Sequence, residues 1–388
     1  MHKTAALTLL LCASTGLFAA SAGAGQSYDL LVGTYTGGAS QGLYRYRFDS
    51  ASGRIETPAL QVVPAENPSW LVLNPEQTRL YVVNENGPGA PDPQGKASAF
   101  AIAPGSHELS LIDQVQTRGD EPTHASLAPG GKHLFVANYA VHADPGGSLA
   151  VLGVGANGEL TEVLQQERHA ASHVNPQRQA GSHVHSVVSG ADGQHVYVQD
   201  LGADKVFIYR YVATDSDQPL SAEHPESVQL PPGSGPRHLL FSGDGRFAYL
   251  TLEMAGQIAV FAVNDGQLEQ RQLVDLAAGR DAAHKAAAGL HLSADGRFLY
   301  ASNRGASSEL LVFAVDPASG LLKEVQRRAS EGVEPREFSL DPSGHFLLVA
   351  NQKSNEIRVM RRDPASGKLG ETLQTFSIDS PSDLKFLR

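Results

Sequence analysis

One cysteine, one tryptophan and three methionines are all that 388 residues contain of these types, and each scarcity closes a route. Cys12 lies in an N-terminal segment that reads as removable, so the mature chain has no disulfide and no thiol nucleophile. Burial and sheet hydrogen bonds must stabilise it instead. No run of Lys or Arg and no basic stripe occurs, and the net charge is −11, so nucleic acid and anionic membrane are poor partners. Sustained helical periodicity is missing outside the N-terminus, and no apolar run spans a bilayer. There is no G-x-S-x-G elbow, Walker loop, C-x-x-C-H haem site or dinucleotide fingerprint, and no cofactor is expected.

What is abundant is turn chemistry. The chain has 39 Gly and 22 Pro, which favours many short strands over long elements. At the start, His2-Lys3 is followed by an apolar run from Leu7 to Phe18. Ala20-Ser-Ala22 or Ala22-Gly-Ala24 then offers a small-residue cleavage site. Residues 1–24 therefore read as a signal peptide, and residues 25–388 as one exported domain, periplasmic or secreted. Cys12 follows Leu9-Leu10-Leu11 rather than a small residue, which argues against a lipid anchor. Cleavage removes Lys3, one positive charge, so −11 becomes about −12.

One unit repeats along the rest of the chain. A Pro or small residue opens an apolar strand, a turn such as Ser-x-Asp-Gly follows, and a second strand ends in a polar residue. The second strands begin at 80, 134, 196, 248, 299 and 347, a period of about 50 residues. Gly235-Pro-Arg-His238 through the Asp244-Gly245 turn to Glu253 is the fourth of these six copies. Each copy continues into an alternating apolar strand and a weaker outer one. Four strands at this period indicate a propeller blade, so the fold class is all-β. Tyr28 to Phe48 supplies a blade lacking its first strand, and Ser380 to Leu387 resembles that strand. Pairing the termini closes a seven-bladed ring and removes its edges. Two long connections, Asn86 to Lys96 and Arg168 to Ser182, fall on the face that carries Arg237 and Glu253.

In a propeller the first strand of each blade lines the central channel. The position after each anchor reads Ser69, Thr123, His185, Arg237, Ala288, Arg336 and Ser382. The next reads Trp70, His124, Ser186, His238, Gly289, Glu337 and Asp383. The second strands end in Glu85, Tyr139, Leu201, Glu253, Arg304 and Gln352. Packing positions in a repeat share a residue class, whereas these diverge into His, Arg, Glu and Gln around one channel mouth. That divergence suits a polar small-molecule site. Arg237, Arg304 and Arg336 would face an anion or a developing oxyanion, and Glu253 beside them would stay ionised and activate a water. His185 or His124 would carry protons. The alternatives are plain ones. A lone Arg–Glu pair on a rim is a structural bridge, His169, His173, His133 and His195 read as loop or surface residues, and Trp70 suits blade packing as well as a sugar platform. His183 and His185 share a strand face, but no third ligand lies nearby, so no metal is expected.

Together, Gly33-Thr-Tyr-Thr36, Asn138-Tyr139, Asn175-Pro-Gln-Arg-Gln179, His183-Val-His185-Ser186, Gly235-Pro-Arg-His238 with Glu253, Asn303-Arg304, Pro335-Arg336 and Asn351-Gln352-Lys353-Ser354 resemble the seven-bladed lactonases. That family includes cycloisomerase-2-type 6-phosphogluconolactonase and the fungal carboxy-cis,cis-muconate cyclase. The resemblance covers nearly all of the mature chain. It implies a monomeric hydrolase of a small-molecule sugar lactone, with His185, Arg237, Glu253 and Arg304 at the positions proposed as catalytic in the cyclase. His124, His238, Arg336, Gln352 and Tyr139 are the expected substrate contacts. Val184 and Glu337 depart from the family's usual Pro and small residue, and Glu337 would add negative charge beside the site. A muconate-type lactonizing cycloisomerase and a non-catalytic binding propeller of the cell envelope are the alternative functions.

Overall fold

Seven antiparallel sheets stand around one axis, six of them ordered from the channel outward in chain order. The computed structural model describes residues 26–139, 149–214, 217–221 and 225–388. The proposed signal peptide, Cys12 included, lies outside them. Blades 2 to 7 each have four strands; blade 5, for example, runs Pro236–Phe241, Phe247–Leu252, Gln257–Asn264 and Gln267–Asp275. Blade 1 is composite. Its inner strand, Pro381–Leu387, pairs with Ser27–Thr34, so the last strand of the chain closes the ring against the first. Among the described residues there is almost no helix, only two 3-10 turns.

A twisted sheet with two apolar faces must be covered on both. Here the neighbours do this. Seven apolar clusters fill the seven gaps between blades, such as Leu252, Phe261 and Tyr197 between blades 4 and 5. The core is therefore a ring, and the axis is left for polar side chains.

Side chains of the outer strands tie the blades together in a way the repeat pattern did not disclose. Gln61, Gln165, Gln272, Gln326 and Gln374 each reach the next blade. Their amides donate to the C=O, and accept from the N–H, of Leu109, Leu220, Leu322, Leu369 and Ile55, at 2.7–3.0 Å. The hydroxyls of Tyr197, Tyr249 and Tyr300 add a second tie, donating to Gly266, Gly320 and Gly367 of the following blade. These tyrosines occupy the uniform aromatic position of the repeat, which therefore serves both packing and polar latching.

Two regular features aim residues at the channel mouth. In each inner strand the register slips just after the anchor residue, leaving Ser69, Thr123, His185, Arg237, Ala288, Arg336 or Ser382 outside the ladder. Such a bulge frees a side chain from the sheet's alternation and re-aims it. The second strands end one residue earlier than expected, at Asn84, Asn138, Asp200, Leu252, Asn303 and Asn351. Glu85, Tyr139, Leu201, Glu253, Arg304 and Gln352 thus stand just beyond the ladder. Each donates its N–H at 2.7–3.0 Å to the carbonyl preceding the inner strand. Tyr35, donating to Ser380 O at 3.0 Å, is the seventh member of this rim.

Replacing Gln326 by Ala removes both bonds to the buried Leu369 backbone and leaves its N–H and C=O unpaired. The expected loss is about 1–3 kcal/mol of unfolding free energy by chemical denaturation. An unchanged unfolding curve would show that this latch contributes nothing.

Candidate functional site

The fifth blade's hairpin brings its two ends together, as its tight turn requires. Arg237 Nε donates to Glu253 Oε2 at 3.1 Å. The same oxygen faces Arg304 Nη2 at 2.9 Å, contributed by the next blade. Glu253 Oε1 accepts from Arg178 Nη2 at 2.7 Å, and His185 Nε2 stands 3.8 Å from Oε2. One carboxylate therefore meets three guanidinium groups and an imidazole, drawn from blades 4, 5 and 6 and from the long connection before blade 4.

This environment sets the charges. Burial works against ionised Glu253, but Arg304, Arg237 and Arg178 outweigh it and hold the carboxyl far below its ordinary range. Burial, then the Arg237 charge, keeps His185 well below its ordinary 6.5, so the ring is neutral at physiological pH. Its Nδ1 is buried and has no hydrogen-bond partner among the described residues. Burial, with Arg304 and Arg336 nearby, lowers Arg237 to about 9, which leaves it cationic at neutral pH.

The remaining predicted residues divide by depth. Arg336 reaches Glu85 at 3.4 Å and lies over the Tyr35 ring at 5.2 Å, while Tyr35 donates to Glu85 at 2.7 Å. This second cluster shares the mouth. Tyr139 joins the first cluster through its hydroxyl, which accepts from Arg178 at 3.1 Å, and its ring stacks on His183. Gln352 sits on the blade 7 rim, and no hydrogen bond links its side chain to either cluster among the described residues. His124 and His238 lie deeper. They pack with Trp70 at ring separations of 4.5–5.6 Å and form a buried layer beneath the bulged residues. Burial first, then Lys385 and Arg237, pushes His124 down to about 3, so it is neutral.

Several expectations change at this resolution of contacts. Glu337 is not at the mouth but in the deeper layer, where His291 approaches at 2.8 Å and His238 at 3.6 Å. Trp70 has His124 on its ring and Lys385 Nζ over it at 4.5 Å, so it packs below the mouth rather than standing in it. His169 and His133 are buried rather than superficial. His169 bridges Asp200 and Tyr209 at 2.9 and 2.8 Å, anchoring the start of the long connection, and His133 bonds Tyr211. His183 Nδ1 donates to the Tyr139 carbonyl at 2.6 Å, and no three metal-ligating side chains gather among the described residues. A cleft of about 890 Å³ opens among the hairpin turns of blades 2 and 3. None of the charged mouth residues lines it. The charged cluster lies instead at the polar mouth.

Two residues of the mouth were absent from the expected set. Tyr35 was missed because blade 1 lacks a preceding inner strand in sequence, which hid its register. Aligning Gly33-Thr-Tyr35 on the other second strands would have found it. Arg178 lies in a connection with no repeat register, and only its place in Asn175-Pro-Gln-Arg-Gln179 singled it out.

Comparison with known proteins agrees with this fold. Residues 29–386 match the family described as Lactonase, 7-bladed beta-propeller. A Formosa agariphila protein named 6-phosphogluconolactonase is 32% identical over 92% of this chain and 98% of its own. The Bacillus subtilis protein of that name is 30% identical over 92% and 97%. Among solved structures, the Pseudomonas aeruginosa periplasmic gluconolactonase PpgL superimposes with a TM-score of 0.90 at 54% identity, covering 94% of this chain and 99% of that one. The chain belongs to the seven-bladed β-propeller lactonase family.

Proposed function

We propose that the protein hydrolyses a sugar lactone to the open-chain acid, and that His185, rather than Glu253, takes the proton from water. The observation that carries this is the sharing of Glu253 among three guanidinium groups beside a neutral imidazole. A carboxylate so strongly stabilised in its charged form is a weak base. Its roles are to fix Arg178, Arg237 and Arg304 and to stabilise the imidazolium that forms 3.8 Å away. His185 is neutral, so one ring nitrogen keeps a free lone pair, and its Nε2 side faces the carboxylate that would stabilise the proton once taken.

In this scheme His185 accepts a proton as the water oxygen bonds to the lactone carbonyl carbon. The carbonyl electrons move onto oxygen, and the positive field of the arginines stabilises the oxyanion. When the carbonyl re-forms, the ring C–O bond breaks and the leaving oxygen takes the proton back from His185. The product carboxylic acid then ionises. The names of the relatives support an aldonolactone, plain or 6-phosphorylated, as the substrate class. The apolar run Leu7 to Phe18, the small residues after it and the periplasmic relative support export.

Wild-type protein is expected to accelerate hydrolysis of glucono-lactone or its 6-phosphate above the spontaneous rate, followed by proton release. His185→Gln should lower kcat about 100-fold or more with KM nearly unchanged. No acceleration with either lactone sinks the lactonase reading, and full activity in His185→Gln sinks the role of His185. For export, the mature protein from a producing cell should begin near Gly25; a mature chain still starting at Met1 contradicts it.

A further inference from the structure

The mouth contains four arginines, and they differ in what they have left to offer. Arg304 is committed on every side: Nη2 to Glu253, Nη1 to Glu334 at 3.3 Å and Nε to the Ala286 carbonyl at 3.4 Å. Arg237 is almost fully buried, with Nε on Glu253 and Nη1 on His238. Arg336 spends Nη2 on Glu85 and lies over Tyr35; its Nη1, like Arg237 Nη2, has no partner among the described residues, but both side chains are largely enclosed. Arg178 alone is substantially exposed, with 43% of its side chain accessible against 10% for Arg304 and 16% for Arg336. Its Nη2 and Nε are occupied by Glu253 and Tyr139, whereas its Nη1 has no partner among the described residues.

The segment that carries Arg178 is held rigidly. The Asn175 side chain accepts from the N–H groups of Gln177 and Arg178 at 3.0 and 3.1 Å. Its backbone carbonyl accepts from Gln179 N at 2.8 Å. Gln179, fully buried, donates to the Leu201 carbonyl and accepts from Asn175 N. Asn175 to Gln179 is thus a closed turn pinned to the end of blade 4's second strand. The guanidinium is presented with little entropy left to lose on binding.

Position completes the argument. Arg178 and His185 flank the same carboxylate, one against each oxygen. A carbonyl carbon attacked by water near His185 therefore lies within one small-molecule span of the free Arg178 edge. We propose that Arg178 is the substrate-contacting donor that receives the carbonyl oxygen, first as the oxyanion and then as the product carboxylate. This rests on the lactonase reading for its substrate but predicts a binding preference measurable without turnover. A hydrogen bond from the cationic guanidinium strengthens once the oxygen is negative, so Arg178 favours the acid over its uncharged analogue.

The test is calorimetric titration of gluconate and of glucitol, its uncharged analogue, into wild-type, Arg178→Gln and Arg178→Lys proteins of equal melting temperature. Loss of one charge-assisted bond at a half-exposed site predicts gluconate binding about tenfold weaker in Arg178→Gln, partly restored in Arg178→Lys, with glucitol changed less than about twofold. Equal losses for both ligands would make Arg178 a structural residue and overturn the proposal. So would unchanged gluconate affinity in Arg178→Gln, or no gluconate binding by wild type. Because lactone turnover is measured separately, an inactive protein that still discriminates gluconate through Arg178 counts against the reaction and not against this contact.

Discussion

Glu253 is the hinge of the functional face. A buried carboxylate is costly to desolvate, and its removal would leave Arg237 and Arg304 as buried like charges facing one another. Held by three guanidinium groups, it becomes the fixed centre to which blades 4, 5 and 6 and the long connection are all tied. Glu253 is ionised in spite of its burial, whereas His185 is neutral because of it. The carboxylate is compensated by cations, whereas the imidazole faces mainly cations and stays uncharged. The functional asymmetry of an otherwise regular ring comes from that difference.

The scaffold makes such a site easy to build. Each inner strand bulges at the same place, and each rim residue makes the same backbone hydrogen bond. The backbone geometry of the mouth is therefore independent of which side chains occupy it. Reactive residues can replace inert ones there, as Arg237 does relative to Ala288, without disturbing the packing between blades. The apolar clusters and glutamine latches that hold the ring lie farther out. Stability and chemistry are separated by radius.

The repeat made much of this legible. The period, the turns and the terminal half-blades gave the seven-bladed ring, and comparing equivalent positions placed His185, Arg237, Glu253 and Arg304 on one face. What escaped was what the repeat does not encode. Arg178 sits in an insertion, Tyr35 in the blade split between the termini, and the glutamine latches on outer strands too variable to align. Depth was also hidden. His238 and His124 follow the bulged positions by one residue, so they point one layer below the mouth and pack with Trp70. Linear spacing could not reveal that a bulge separates those two layers.

Charge assignment at Glu253 and His185 underlies the rest, and nuclear magnetic resonance reads it directly. Nitrogen chemical shifts of the His185 ring, identified by their loss in the His185→Gln protein, can be followed from pH 8 downward. The expected result is a neutral ring through 6.5 and well below it, because burial and the Arg237 charge disfavour protonation. A midpoint at or above 6.5 would contradict it, for His185 would then be paired as a cation with Glu253 and unavailable to accept a proton from water.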